Sequence, residues 1–175
     1  MMSVRMGEMA VSSSRDDELV ALGLGSCIGL ALIDSKSGVA GLAHVVLPES
    51  RENAGEPGKF ANLAVPELIA RMRRAGAGDR MEAVLTGGAR MFELGSELDI
   101  GARNEAAVRS ALAQARITVA AAATGGNRGR TVKVVPGAGT VSVREAGGDT
   151  VTLWGSSSAS GPIRSSRPLA TGAPR

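Results

Sequence analysis

The sequence predicts an α+β fold in which about two main helices cover a mixed, mostly antiparallel sheet. Apolar runs flank turn residues at 34–38 and again at 136–139, and this pattern indicates two β-hairpins. Apolar residues recur with helical spacing in 62–75 and in 104–116, which predicts the two helices.

The first half of the chain carries most of the predicted strands. Residues 4–11 are predicted to form a first strand, and the apolar run 19–24 is typical of a buried strand. Residues 28–33 and 39–47 are predicted to form a hairpin around the sequence Asp-Ser-Lys-Ser-Gly. Residues 49–59 are polar, contain Gly and Pro, and are predicted to form a loop.

The second half of the chain adds the two helices and the remaining strands. The helix over 62–75 stops before Gly76, a residue type that suits the end of a helix. The helix over 104–116 has one apolar face. Apolar runs bounded by turn residues predict the other strands, which are 83–85, 117–123, 131–135, 140–144 and 151–154.

Composition divides the chain into a domain and a tail. Residues 1–154 contain all the predicted elements and have a normal size for one domain. Residues 155–175 consist mainly of Ser, Gly, Pro, Ala and Arg. Such a segment buries too little apolar surface to offset its chain entropy, so we expect a disordered C-terminal tail.

The composition disfavours nucleic-acid binding. Aromatic residues make up only 2% of the chain, so base stacking offers little. The net charge is +3, and the tail contributes three arginines without any acidic residue, so the rest of the chain is near neutral. We therefore expect no nucleic-acid partner.

The same sequence predicts a cytoplasmic protein that does not insert into a membrane. Its single Cys excludes an intramolecular disulfide. The N-terminus lacks the apolar run of a signal peptide, and no stretch approaches the roughly 20 apolar residues of a membrane span. One Cys and one His are also too few soft ligands for a metal site, so we expect no metal.

The only Cys and the only His belong to the first predicted hairpin. If residues 36–37 form a two-residue turn, Gly29 pairs with His44. Cys27 and His44 then share a face as diagonal neighbours, roughly 7–8 Å apart at the backbone. A turn longer by two residues places them directly opposite, and a shift by one residue separates them onto opposite faces. Gly29 and Ala31 on the shared face are expected to leave space above the strand.

Cys27 and His44 suit nucleophilic catalysis. A thiol attacks as the thiolate, and a nearby imidazole can accept its proton and later protonate leaving ammonia. Gly25 and Ser26 break the chain just before the thiol, and their backbone N–H groups are candidates to stabilise an oxyanion. The alternative is structural, with Cys27 a small buried hydrophobe and His44 a core histidine.

Two similar glycine loops each follow a predicted strand, TGGAR at 86–90 and TGGNR at 124–128. One interpretation is that both loops converge on one site, and the other is ordinary strand-to-loop glycine. A phosphate-binding loop is a weaker hypothesis, because residues 124–131 lack the Gly-Lys-Ser/Thr sequence. If the loops converge, the candidate site-lining residues are Gly87, Gly88, Gly125, Gly126 and Asn127.

The order of these motifs closely resembles the CheD family of chemoreceptor glutamine deamidases. The resemblance covers roughly residues 4–153, and so many motifs in the same order are highly specific. The matching segments are LGLGSCI at 22–28, AHVVLP at 43–48, PGKFA at 57–61, GGARMF at 87–92, IGARN at 100–104 and TGGNRGR at 124–130.

The resemblance implies an activity and a site. The family hydrolyses selected glutamine side-chain amides on methyl-accepting chemotaxis receptors, and the glutamates that result can then be methylated. It uses neither cofactor nor metal, and the matching nucleophile and base are Cys27 and His44. Family members also bind the CheC phosphatase. The family fold, an α/β sandwich similar to cysteine-dependent deamidating toxins, shifts the predicted class from plain α+β to a layered sandwich.

One position departs from the family pattern. Members commonly carry a Thr six residues before the Cys as the third member of the catalytic triad, and Ala21 occupies that position here. Alanine has no hydroxyl to orient the imidazole, and a backbone carbonyl or another polar residue could take that role instead. The alternative is a catalytically impaired CheD-like module that only binds CheC or receptor helices.

Overall fold

The structure is a computed structural model that describes residues 1–50, 56–90 and 99–155. The two helices are α1 (Ala61–Arg74) and α2 (Ile100–Gln114). The ten strands of the described ranges are β1 (Met2–Ser3), β2 (Met9–Ser12), β3 (Leu19–Leu24), β4 (Ile28–Asp34), β5 (Val39–Val45), β6 (Glu82–Gly87), β7 (Thr118–Thr124), β8 (Arg130–Val135), β9 (Thr140–Glu145) and β10 (Thr150–Trp154).

The strands form two five-stranded sheets. The central sheet has the order β2-β5-β4-β6-β7, and the outer sheet has the order β1-β3-β8-β9-β10. Pairing is antiparallel except for β1 with β3 and β6 with β7, which are parallel. The predicted class, a layered sandwich of mixed, mostly antiparallel sheet with about two main helices, is therefore confirmed.

The central sheet is covered on both faces. The face of the first hairpin that carries Ile28, Leu30 and Val45 packs against α1 and α2. The helices contribute Leu68, Met72, Val108 and Leu112. The opposite face packs against the outer sheet, whose strands contribute Leu19, Val132 and Val141 among others. Because both faces of these strands are buried, the sequences of β4 and β5 are nearly continuous apolar runs.

The N-terminal strand prediction was wrong. Residues 4–11 do not form one strand, because the chain turns at Gly7, whose φ is +79°. Such a φ strains any residue with a Cβ, so glycine suits the turn. The turn delivers β1 to the outer sheet and β2 to the central sheet.

The loop of the first hairpin is longer than predicted, although its register is the predicted one. Asp34 pairs with Val39, which leaves four residues, 35–38, in the loop instead of two. The Asp34 carboxylate accepts hydrogen bonds from the Lys36 N–H (3.0 Å) and the Ser37 hydroxyl (2.8 Å) and closes the loop. The same carboxylate accepts from the Gly78 N–H at 2.7 Å, which ties the loop to the chain beyond α1.

Several predicted boundaries moved by a few residues. The helix predicted over 104–116 begins earlier, because the Asp99 carboxylate accepts a hydrogen bond from the Ala102 N–H (3.0 Å) and caps α2. Strand β5 ends at Val45 instead of residue 47. The other predicted strands are present with small shifts. Neither described helix combines the length and the apolar content that a membrane crossing requires.

Three predictions fall partly or wholly on residues that the structure does not describe. Within the predicted loop 49–59, residues 51–55 lie outside the described ranges, and residues 57–59 form a short 3-10 helix. Residues 91 and 92 of the GGARMF motif lie outside them as well. The predicted tail, 155–175, is described only at Gly155.

Candidate active site

The structure places Cys27 and His44 on the same face of the central sheet. The predicted register is confirmed, since Gly29 pairs with His44, and Cys27 lies one residue before β4. This face is covered by the outer sheet, so Cys27 is 8% exposed and His44 only 3%. The expectation of open space above Gly29 was wrong, because a Cβ there would lie 2.8 Å from Leu24 and 3.0 Å from Val132.

The imidazole of His44 is oriented by a backbone carbonyl. Its Nδ1 lies 3.3 Å from the carbonyl oxygen of Val4, a buried residue whose own N–H donates to the Val20 carbonyl at 2.8 Å. A carbonyl only accepts, so Nδ1 carries the proton and Nε2 keeps its lone pair. Nε2 is buried and has no hydrogen-bond partner among the described residues. This tautomer presents a vacant acceptor on the face that carries the thiol.

Ala21 lies in the same layer as the two candidate residues. It sits in β3, is fully buried, and belongs to the apolar cluster between the sheets that also contains Cys27. Its methyl group offers no hydrogen bond. The polar contact to the imidazole Nδ1 comes from Val4, 40 residues before His44.

Burial sets the protonation of both groups. Burial raises the pKa of the Cys27 thiol above 9.0, and a hydrogen bond from its own backbone N–H opposes that rise in part. Burial lowers the pKa of His44 below 6.5, against the opposing effects of the Val4 carbonyl and the Glu8 charge. Thiol and imidazole are therefore both neutral at pH 7.

The loop that carries the thiol is held by its carbonyl groups. The carbonyl oxygens of residues 25–27 accept, in chain order, from the Ala89 N–H (2.7 Å), the Asn104 Nδ2 (2.9 Å) and the Gly88 N–H (2.8 Å). The N–H groups of Gly25 and Ser26 have no acceptor within the described ranges, and both residues are only half-buried. Residues 25–27, hereafter the thiol strap, are thus anchored by their carbonyl groups and leave two adjacent N–H donors without an acceptor.

The two glycine loops lie side by side next to this strap. The Gly125 N–H donates to the Gly87 carbonyl at 2.9 Å, and the Arg90 N–H donates to the Gly126 carbonyl at 2.8 Å. Gly87 has a φ of +106°, and a Cβ there would overlap the Cys27 carbonyl oxygen. The two loops therefore lie together, as the first interpretation requires, and their role in lining a catalytic site stays a prediction.

A cleft of about 740 Å³ opens beside the glycine loops. Cys27 and His44 do not line it, and Gly88 is the residue that both contacts the Cys27 carbonyl and borders the cleft. Within the described ranges, no group of three or more His, Cys, Asp or Glu is arranged to hold a metal ion. The lining residues are Gly88, Arg90, Asp99, Ala102, Glu105, Gly125, Gly126 and Asn127.

Two residues that the sequence did not single out support the site. The Nδ2 of Asn104 donates to the carbonyls of Ser26 and Val46, both at 2.9 Å, and so connects the thiol strap to the end of β5. Arg130 is buried and donates to the carbonyls of both glycine loops while pairing with Glu145 at 2.6 Å. A polar residue on the buried face of an amphipathic helix is the sequence signal that could have identified Asn104.

Comparison with known proteins confirms the resemblance. A family model described as CheD chemotactic sensory transduction matches residues 46–145, more than half of the chain. A Thermotoga maritima protein named chemoreceptor glutamine deamidase CheD is 40% identical over 146 residues, which cover 83% of this chain and 92% of that protein. A Symbiobacterium thermophilum protein named probable chemoreceptor glutamine deamidase CheD is 43% identical over 152 residues, or 83% and 92% of the two chains. The chain belongs to the CheD family.

Proposed function

We propose that this protein hydrolyses glutamine side-chain amides on chemotaxis receptors, releasing ammonia and leaving glutamate. The names of its relatives support the substrate. The observation that carries the chemistry is the contact between His44 and the Val4 carbonyl. It leaves Nε2 as the acceptor on the sheet face that bears the only thiol of the chain.

The first half of the reaction forms a thioester. His44 Nε2 accepts the Cys27 proton as the sulfur attacks the carbonyl carbon of the glutamine amide. The N–H groups of Gly25 and Ser26 stabilise the oxyanion of the tetrahedral intermediate. His44 then returns the proton to the amide nitrogen, the C–N bond breaks, and ammonia leaves.

The second half releases glutamate. A water molecule attacks the thioester carbon while His44 Nε2 accepts a proton from that water. The C–S bond breaks, the proton returns to the Cys27 sulfur, and the product carboxylic acid loses its proton to solvent. The steps need only side chains, backbone amides and water.

The glycine loops serve as the rigid support of the oxyanion donors. The Gly88 N–H fixes the Cys27 carbonyl, and Gly87, which lacks a Cβ, allows that carbonyl to approach closely. The N–H groups of Gly25 and Ser26 are then held ready for the reacting oxygen. Gly125 and Gly126 hold the first loop in place, and Asn127 stands exposed at the rim of the cleft. Preorganised donors need no reorientation during the reaction, which is the main source of their effect.

The Val4 carbonyl takes the orienting role that Ala21 cannot perform. A carbonyl that accepts from Nδ1–H selects the same tautomer as a triad hydroxyl would. This contact favours a working enzyme over the second candidate, a module that only binds CheC or receptor helices. We propose that residues 1–154 are the functional unit, that the protein acts in the cytoplasm in receptor adaptation, and that it binds CheC.

Mass spectrometry of a receptor fragment tests the proposed function. We expect the purified protein to convert specific glutamines of the cytoplasmic helices of a chemoreceptor to glutamates, with ammonia released in equal amount. Complex formation is measured on the same samples. A complex that forms without any conversion would establish the binding module instead, and heat-unfolded protein serves as the control.

The pH dependence of turnover follows from the two pKa shifts. The reactive form has a neutral imidazole, so kcat/KM falls only as pH drops through the lowered pKa of His44, below 6.5. The thiol loses its proton only above 9.0. We expect a flat profile between these limits in a pH–rate measurement. An acid limb centred above pH 7 would contradict a neutral thiol–imidazole pair.

A further inference from the structure

Thr86 carries a buried hydroxyl without a partner. The residue is 0% exposed, and its Oγ1 makes no hydrogen bond among the described residues. Buried hydroxyls in native proteins are nearly always paired, because an unpaired one keeps the full cost of its desolvation. A valine would fill the same volume without that cost.

Strand register places this hydroxyl in the row of the active-site imidazole. Gly29 pairs with His44 on one side and with Thr86 on the other. Paired residues of neighbouring strands project to the same face, so both side chains face the outer sheet. Gly29 between them has no side chain.

Cys27 is a diagonal neighbour of both residues. It precedes Gly29 by two positions, and its carbonyl accepts from the Gly88 N–H at 2.8 Å, which puts Cys27 opposite Gly88. Thr86 precedes Gly88 by two positions on the β6 side. On the β5 side, His44 likewise precedes Val46 by two positions, and the register of β4 with β5 aligns Val46 with Cys27. Diagonal pairs of this kind lie within side-chain reach. The thiol is therefore flanked by the imidazole on the β5 side and by the hydroxyl on the β6 side.

The adjacent row of the same face is entirely apolar. It consists of Leu42, Ala31 and Val84, which pair in that order across β5, β4 and β6 and all belong to the cluster between the sheets. In these two rows, the polar side chains are confined to the row beside Cys27. The layer between the sheets is therefore not polar throughout, and the presence of a hydroxyl at Thr86 needs a specific reason.

We propose that the Thr86 hydroxyl donates a hydrogen bond to the Cys27 sulfur when the thiolate forms. This inference rests on the proposed function and adds a second group that contacts the nucleophile. The hydroxyl keeps its proton, and the thiol proton still passes to His44 Nε2. Rotation about the Thr86 side-chain torsion brings the donor toward the sulfur, and a charge-assisted bond then satisfies the orphaned group.

The ionisable side chains around Cys27 leave a neutral hydroxyl as the hydrogen-bond donor to its thiolate. His44 faces Cys27 from β5 and is itself neutral at pH 7. Arg130 of β8 is committed to the carbonyls of Gly87 and Gly125 and to Glu145. The hydroxyl of Thr86 therefore offsets part of the burial that works against the thiolate.

Alkylation of the single cysteine tests the inference without any receptor. The rate of iodoacetamide labelling is followed by mass spectrometry from pH 6 to 11 in wild type, Thr86→Val, Thr86→Ser and Thr118→Val, and the rates at pH 7 are compared directly. We expect Thr86→Val to raise the midpoint of the labelling profile by about one pH unit, a roughly tenfold smaller thiolate fraction at pH 7. Thr86→Ser, which keeps the hydroxyl, and the exposed Thr118→Val control should retain the wild-type midpoint.

The outcomes separate this inference from the proposed function. An unchanged midpoint in Thr86→Val, together with a raised melting temperature, would show a merely structural hydroxyl and overturn the inference. If Thr86→Val does not fold, Thr86→Ala against Thr86→Ser supplies the same comparison at smaller volume. Receptor deamidation by wild type, lost in Cys27→Ala, upholds the function whatever the labelling shows. Failure of the wild type to deamidate the receptor refutes the proposed function, and deamidation that survives in Cys27→Ala removes Cys27 from its mechanism, whatever the labelling shows.

Discussion

Replacing Cys27 by serine is expected to lower receptor deamidation by about 10⁴-fold or more, as in other enzymes whose nucleophile is removed. A serine hydroxyl is far less acidic than a thiol, and the neutral imidazole of His44 would have to deprotonate it in a buried site. Serine is slightly smaller than cysteine, so the packing between the sheets should survive. Turnover is measured by ammonia release and by mass spectrometry of the receptor fragment.

Two companion measurements make the Cys27 result interpretable. Circular dichroism and thermal unfolding of Cys27→Ser should match wild type closely, which assigns the loss of rate to chemistry. Cys27→Ala should show the same loss, because it also lacks the sulfur. Turnover near the wild-type rate in either variant would remove Cys27 from the mechanism.

Replacing Gly87 by alanine is expected to damage both the fold and the rate. The φ of +106° is unfavourable for any residue with a Cβ, and the added carbon would overlap the Cys27 carbonyl oxygen. The backbone strain costs about 1–3 kcal/mol of unfolding free energy. A shift of the thiol strap by about 1 Å can lower turnover by about 10²-fold. Thermal unfolding and deamidation of the same sample measure the two effects.

Gly147 provides a matched control for this prediction. It has a φ of +76° in the turn between β9 and β10, and a Cβ there would meet nothing within 4 Å. Gly147→Ala should therefore carry the backbone strain alone and keep wild-type turnover. Equal losses of turnover in the two variants would mean that strain, and not the contact with Cys27, explains the Gly87 result.

Local patterns predicted much of the fold. The two hairpins, both helices and the face that carries Cys27 and His44 follow from turn residues and from the periods of strands and helices. The register was right although the loop length was wrong, because four loop residues, centred on the same pair, preserve the alignment of Gly29 with His44. The prediction of one N-terminal strand was wrong, because the chain turns at one glycine and passes from the outer sheet to the central one.

The sequence by itself determined which two side chains share one face of the first hairpin, since alternation along paired strands is a local rule. Only the tertiary structure decided what surrounds them. The Val4 carbonyl reaches His44 across 40 residues, and Asn104 reaches Ser26 across 78. The outer sheet buries both reactive groups and shifts their pKa values. Such contacts depend on how sheets and helices pack, and no short-range pattern in the chain encodes that packing.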